Sequence, residues 1–178
     1  SSTGETNFVT NEPFGNIDNF RRSSLRRNLY RYLKRNKITS ITATHDKTDI
    51  LSFTDQTIVI RQGEILTQKN TVDLYQNPTN YYVASLFGEV NEMALSLFTK
   101  SEKKGTVLVY PHEIKVDPNS DKKARVKNAY FIGNGYLTEA VFENTIIFFN
   151  HDNPLKAPEI VGITIAEEIL QKRTVLRE

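Results

Sequence analysis

Two short stretches decide how this sequence folds: Asn11-Glu12-Pro13-Phe14-Gly15-Asn16-Ile17-Asp18 and, further along, Thr44-His45-Asp46. Pro13 and Gly15 interrupt any regular element, so the first stretch is a loop. Asp18 or Asn19 then offers an N-cap for a helix reaching Arg35. Within it Leu25, Leu29, Tyr32 and Leu33 recur at three- and four-residue spacing, which predicts one apolar stripe. Arg21, Arg22, Arg26, Arg27, Arg31, Lys34 and Arg35 predict a cationic opposite face. Asn36-Lys37 ends the helix. Ile38-Thr39-Ser40-Ile41-Thr42-Ala43-Thr44 is rich in β-branched residues and reads as a strand. His45-Asp46 sits just after it.

Outward from this core the pattern continues. Lys47 to Phe53 predicts a short helix and Thr57-Ile58-Val59-Ile60-Arg61 a strand. Gln62-Gly63-Glu64 turns into Ile65-Leu66-Thr67-Gln68. Thr71 caps a helix through Tyr75, and Asn80 opens another to Phe87. Strand, helix, strand and hairpin make an α/β pattern. Composition changes at 88–92, which places a boundary between residues 1–88 and 89–178. Beyond it five or six strands are expected, over 90–98, 105–110, 112–116, 124–132, 136–142 and 145–150. Segments 161–165 and 173–177 are candidates to close the set. Gly133-Asn134-Gly135 and Glu143-Asn144 are tight-turn signals, so the tail predicts a small β-barrel or sandwich.

Composition bounds the function. The chain has 178 residues, 25% charged and 38% hydrophobic, with a formal charge of +2. Those values exclude a disordered polyelectrolyte, and no run approaches the ~20 apolar residues of a membrane span. There is no cysteine, hence no disulfide framework and no thiolate metal site. Ser1-Ser2-Thr3-Gly4 carries no leader pattern and reads as the start of a processed or excised piece.

The order of motifs resembles the C-terminal part of the nucleotide-binding subunit of ATP-binding-cassette (ABC) importers. There a strand runs into an acidic-Glu-Pro-Phe segment, a loop ending in Leu-Asp, a helix, a strand and a Thr-His-Asp switch. The likeness continues through Ile58-Val59-Ile60-Arg61-Gln62-Gly63-Glu64-Ile65, Asp73-Leu74-Tyr75-Gln76-Asn77-Pro78 and Tyr82-Val83-Ala84-Ser85-Leu86-Phe87-Gly88. Val109-Tyr110-Pro111-His112-Glu113-Ile114 resembles the Arg-Pro-Glu-Asp-Ile segment of the small regulatory barrel appended to many importer ATPases, the TOBE type, with Tyr110 in place of Arg. The fold this implies is an α/β remnant, the C-terminal part of a P-loop nucleotide-binding domain, followed by a small all-β, OB-like barrel.

The resemblance implies that Glu12 orients or deprotonates the attacking water, that His45 donates to the γ-phosphate, and that Asp18 lies in the loop touching the partner subunit across a nucleotide sandwich. A carboxylate at the C-terminal end of a strand opens into the crevice where α/β sheets bind ligands. Two departures stand out. Asn11 occupies the position of the family's magnesium-linked aspartate, and a neutral amide is a weaker partner for a hydrated dication. The chain also has no G-x-x-x-x-G-K-S/T and no Leu-Ser-Gly-Gly-Gln signature. ATP and Mg²⁺ are therefore expected in a complete subunit and neither with this chain alone. The implied partners are membrane permease subunits and a second copy of the ATP-binding subunit, at the inner face of the cell membrane. The short tail resembles polyamine, ferric-ion or oxyanion importers more than sugar importers, with sugar import left open.

Other readings compete. A non-catalytic dimerisation or small-ligand-sensing module would use Phe131, Phe142, Phe148 and Phe149 as core or interface; adjacent Phe148 and Phe149 must point to opposite faces of their strand. A metal-dependent phosphohydrolase built on His45-Asp46 needs further ligands, and His112 and His151 lack ligand-like spacing. The basic helix suits phosphates, but a net charge of +2 and the absence of a basic, aromatic stacking surface argue against nucleic acid.

Overall fold

The structure, a computed structural model, describes residues 7–13, 18–99 and 105–176; Phe14 to Ile17 of the first loop, Ser1 to Gly4 and Arg177 lie outside the described residues. By contacts the chain divides into two compact units, Ser1–Val72 and Asp73–Glu178.

In the first unit, strand β1 (Asn7–Asn11), helix α1 (Asn19–Arg35) and strand β2 (Thr39–Ala43) form a βαβ unit. β1 and β2 pair in parallel from Asn7↔Thr39 to Asn11↔Ala43, a pairing that needs a crossover such as α1. Asp18 is the N-cap of α1, its carboxylate accepting the Arg21 amide at 3.0 Å. The buried stripe of α1 differs from the expected one. Arg26, Tyr30 and Leu33 are buried, whereas Leu25 and Tyr32 are 43% and 60% exposed. Tyr30 stacks on Phe53 with ring centroids 4.6 Å apart, and Phe8, Leu29 and Ile38 pack around them. The helix is turned because a buried ion pair, described below, draws Arg26 inward.

Helix α2 (Lys47–Phe53) follows as expected, capped by Asp46. Strands β3 (Gln56–Arg61) and β4 (Glu64–Asn70) form an antiparallel hairpin. Its turn places Gln62 at φ 53° and Gly63 at φ 82°, the double positive φ of the tight hairpin turns whose twist matches that of the strands. The expected cap at Thr71 is displaced by one residue. Asn70 Oδ1 accepts the Val72 amide, and the Thr71 hydroxyl lies 2.8 Å from those of Thr54 and Thr57.

The second unit begins with α3 (Thr71–Gln76), which crosses the division, and α4 (Tyr81–Ser85), capped by Asn80. These helices belong with the strand-rich tail because Tyr75 stacks on Tyr110 at 4.6 Å. The remaining elements are β5 (Asn91–Ala94), β6 (Gly105–Val109), β7 (Ile114–Val116), β8 (Lys123–Phe131), β9 (Tyr136–Phe142), β10 (Thr145–His151), β11 (Ile160–Ile165), α5 (Glu167–Lys172) and β12 (Thr174–Leu176). They pair as a five-stranded sheet, β10-β9-β8-β11-β7, and a three-stranded sheet, β12-β6-β5. Of the expected barrel or sandwich, the ladders give two sheets over one core and no closed barrel among the described residues. That core includes Met93, Val107, Val109, Ile114, Phe142, Ile147, Phe149 and Ile163. Asn91 joins the sheets. Its amide donates to the Val109 and Phe148 carbonyls at 3.0 and 2.8 Å and accepts the Phe148 amide at 2.7 Å. One side chain takes the place of a strand-to-strand ladder. Gly162 marks the tightest approach, since a Cβ there would stand 2.1 Å from the Asp117 carbonyl oxygen.

Of the four phenylalanines proposed for core or interface, Phe142 and Phe149 are buried, Phe131 is exposed and Phe148 half-buried. The sequence pattern missed α5, whose six residues are too few to show a helical period.

Candidate functional site

β1 and β2 run in parallel and end at Asn11 and Ala43, so Glu12 and Thr44-His45-Asp46 emerge side by side at the same sheet end. The Glu12 amide continues the ladder by donating to the Ala43 carbonyl at 2.9 Å. Glu12 then takes φ 45°, a left-handed conformation that is unfavourable for a residue with a Cβ. The turn ends the strand and puts the carboxylate beside the second loop. Glu12 Oε1 stands 2.6 Å from His45 Nδ1, although the two residues are 33 apart in sequence. Both groups face water, the His45 side chain 85% exposed and that of Glu12 48%. A polar contact so exposed contributes at most about 1 kcal/mol. Stability therefore does not account for the contact, and its accessibility is the notable property.

The loop carrying His45 is anchored from beneath. The Thr44 hydroxyl accepts the Asp46 amide at 3.0 Å and donates to Asp49 Oδ2 at 3.2 Å. Asp46 accepts the Thr48 amide at 2.8 Å, capping α2. Arg26, 6% exposed, reaches across from α1. Its Nη2 contacts Asp46 Oδ2 at 2.5 Å and its Nε lies 2.6 Å from Asp49 Oδ1, while Asp49 is 2% exposed. Burial acts to raise the Asp46 carboxyl, but hydrogen bonds from Arg26 and Thr48 together with the guanidinium charge outweigh it and hold the group below the usual carboxylate range. His45 thus sits on a rigid, ion-paired base. Sequence reading placed Arg26 on the solvated face. Only the Asp-x-x-Asp spacing of Asp46 and Asp49, which puts both carboxylates on one side of a helical turn, hinted at a buried cation.

The other two candidates differ. Asn11 is exposed at the end of β1, beside the pair but hydrogen-bonded to neither member among the described residues. The Asp18 carboxylate serves as the α1 cap and likewise makes no described hydrogen bond to Glu12 or His45. Among the described residues no group of three or more His, Cys, Asp or Glu is arranged to hold a metal ion.

In the second unit the Val109–Ile114 segment builds a separate cluster. The Glu113 carboxylate accepts two bonds from Arg173, at 2.9 and 2.8 Å, and the Tyr110 amide at 2.8 Å. Arg173 lies 4.6 Å above the Tyr110 ring and also donates to the Gln76 carbonyl. Burial drives the Tyr110 phenol far above its ordinary range. The cation of this cluster arrives from the far end of the sequence, as Arg173.

No family model matches the chain. It is 32% identical over 141 residues to a sulfate/thiosulfate import ATP-binding protein of Gloeobacter violaceus, covering 76% of this chain and 41% of that protein. It is 33% identical over 107 residues to an Fe(3+) ions import ATP-binding protein of Photobacterium profundum, covering 60% and 29%. It is 36% identical over 85 residues to a glucose import ATP-binding protein of Saccharolobus solfataricus, covering 48% and 24%. The chain spans less than half the length of each of these relatives. Its homologues are ATP-binding subunits of ABC importers.

Proposed function

We propose that this chain supplies the water-orienting and phosphate-sensing corner of an ABC-importer ATP-binding subunit, followed by a TOBE-type, OB-like regulatory region. The reading rests chiefly on one observation: Glu12 and His45, distant in sequence, meet at 2.6 Å on the open end of a parallel strand pair. In a complete subunit ATP would supply the γ-phosphoryl group and Mg²⁺ the positive charge that offsets its oxygens. The residues present fit one wall of such a site. Glu12 offers a solvent-facing acceptor that can orient a water or take its proton. His45 Nδ1 is engaged with Glu12, which leaves Nε2 for an anionic oxygen. Nε2 donates there only if the ring carries both protons or gives up its Glu12 contact. Asn11 and Asp18 are assigned the flanks of the same site.

The exposed face of the strand pair supports the assignment. Val9 and Ile41 are paired across it and are 73% and 65% exposed, whereas parallel sheets are normally covered on both faces. Further chain packed there would cover that face. The 141-residue similarity is longer than the 72 residues of the first unit, which supports placing the strand-rich tail in the same kind of subunit. The proposed partners are permease subunits and a second ATP-binding subunit, at the inner membrane face. The proposed solute is an oxyanion, ferric ion or polyamine, with sugar import left open.

The test is ATP turnover by the complete subunit carrying Glu12→Gln. Hydrolysis should fall about 100-fold or more, while Mg-ATP binding persists. This chain alone should bind no Mg-ATP. Undiminished hydrolysis in the variant, or tight Mg-ATP binding by the chain alone, would overturn the assignment.

A further inference from the structure

Helix α1 holds seven cations and no acid between Asn19 and Arg35. Two are neutralised within the fold, Arg26 by Asp46 and Asp49, and Lys34 by Asp55 at 2.9 Å. Arg27, Arg31 and Arg35 are exposed and meet no carboxylate among the described residues. Their four-residue spacing lines them along one side of the helix with ~6 Å of axial rise between neighbours. Arg27, Arg31 and Lys34 form one wall of a groove whose other lining residues are Tyr30, Ser52 and Phe53. In this groove the Tyr30 ring of α1 stacks on the Phe53 ring of α2.

We propose that this groove is a docking site for an acidic, amphipathic segment of a partner protein. Guanidinium groups, with their planar fork, favour bidentate capture of carboxylates. A helical or extended segment with acids every fourth residue matches the spacing of Arg27, Arg31 and Arg35, and its apolar side lies against the half-buried Phe53, the helix-in-groove mode. Asp55 already shows the chemistry, since its carboxylate occupies the Lys34 end of the same wall. A membrane surface fits less well, because the exposed apolar residues of α1, Leu25 and Tyr32, are not among those lining the groove and so have no insertion face beside Arg27 and Arg31. Single-stranded nucleic acid fits less well because Tyr30, stacked on Phe53 and 6% exposed, offers no free ring for a base, and the exposed Tyr32 does not line the groove.

The experiment uses the full chain and a dye-labelled peptide with glutamate at every fourth position and leucines between, followed by anisotropy. Saturable binding is expected that weakens about ten-fold as salt is raised to 0.3 M, because added ions screen exposed charges. Arg27→Glu/Arg31→Glu should abolish it. Lys122→Glu/Lys156→Glu, the same change in net charge elsewhere, should leave it intact, and a scrambled peptide of the same composition should bind more weakly. Circular dichroism checks that both variants are folded. Retained binding by Arg27→Glu/Arg31→Glu overturns the proposal, as does equal affinity for the scrambled peptide. Tighter binding to phosphatidylglycerol vesicles or to oligo-uridylate would also overturn it and reassign the groove.

Discussion

Replacing Arg26 by Met tests whether His45 rests on an ion-paired base. Arg26 is 6% exposed and serves Asp46 and Asp49 at once. Its loss leaves two neighbouring carboxylates, one of them 2% exposed, with no cation. Removing one partner of a buried pair costs about 3–5 kcal/mol, because the stranded charge keeps its desolvation penalty. The pH dependence should then change sign. In the native chain Asp46 is held below its ordinary range, so the folded state binds fewer protons than the unfolded one. That contribution is complete above the unfolded carboxyl value of about 3.9 and drains away as pH falls through the lower folded value. Without Arg26, burial and repulsion from Asp49 raise the Asp46 carboxyl, and the folded variant takes up protons more readily than the unfolded chain. Its deficit should be greatest at neutral pH and shrink towards pH ~4. Urea unfolding across this range measures the deficit, and exchange protection of the α2 amides identifies the unit that opens. A deficit below about 1 kcal/mol at neutral pH, or one that grows on acidification, refutes the buried-pair account.

Arg173→Met should likewise strand Glu113 and cost about 3–5 kcal/mol. Adding Glu113→Gln should recover most of that by neutralising the group while keeping an acceptor for the Tyr110 amide; a double variant weaker than the single one would contradict this. Asn91→Leu should cost about 2–4 kcal/mol by leaving the Phe148 amide and carbonyl unpaired. Hydrogen exchange should then speed up at Phe148 before it does at the β9 amides.

The local features were legible in the sequence because they depend on near neighbours. The Asp18 cap, the α1 limits, α2 and the turns at Gln62-Gly63 and Glu143-Asn144 follow from backbone preference and side chains only a few residues away. The Glu12 and His45 candidates came from motif order, and the parallel pairing of β1 with β2 brings them into contact. The face of α1 was misjudged at Leu25, Arg26 and Tyr32, because hydrophobic period treats arginine as solvated wherever it falls. Arg26 goes inward because Asp46 and Asp49, brought there by a different helix, compensate its charge.

The sequence by itself determined the order of helices and strands from β1 to α4 and the residues at the open sheet end, since both are properties of short segments. Tertiary structure alone decided where charges are buried and how sheets join: Arg26 on two aspartates, Arg173 on Glu113, and Asn91 in place of a barrel-closing ladder. The physical reason is that burying a polar group is tolerable only beside its partner. In each case that partner lies at least 18 residues away, beyond the reach of any local pattern.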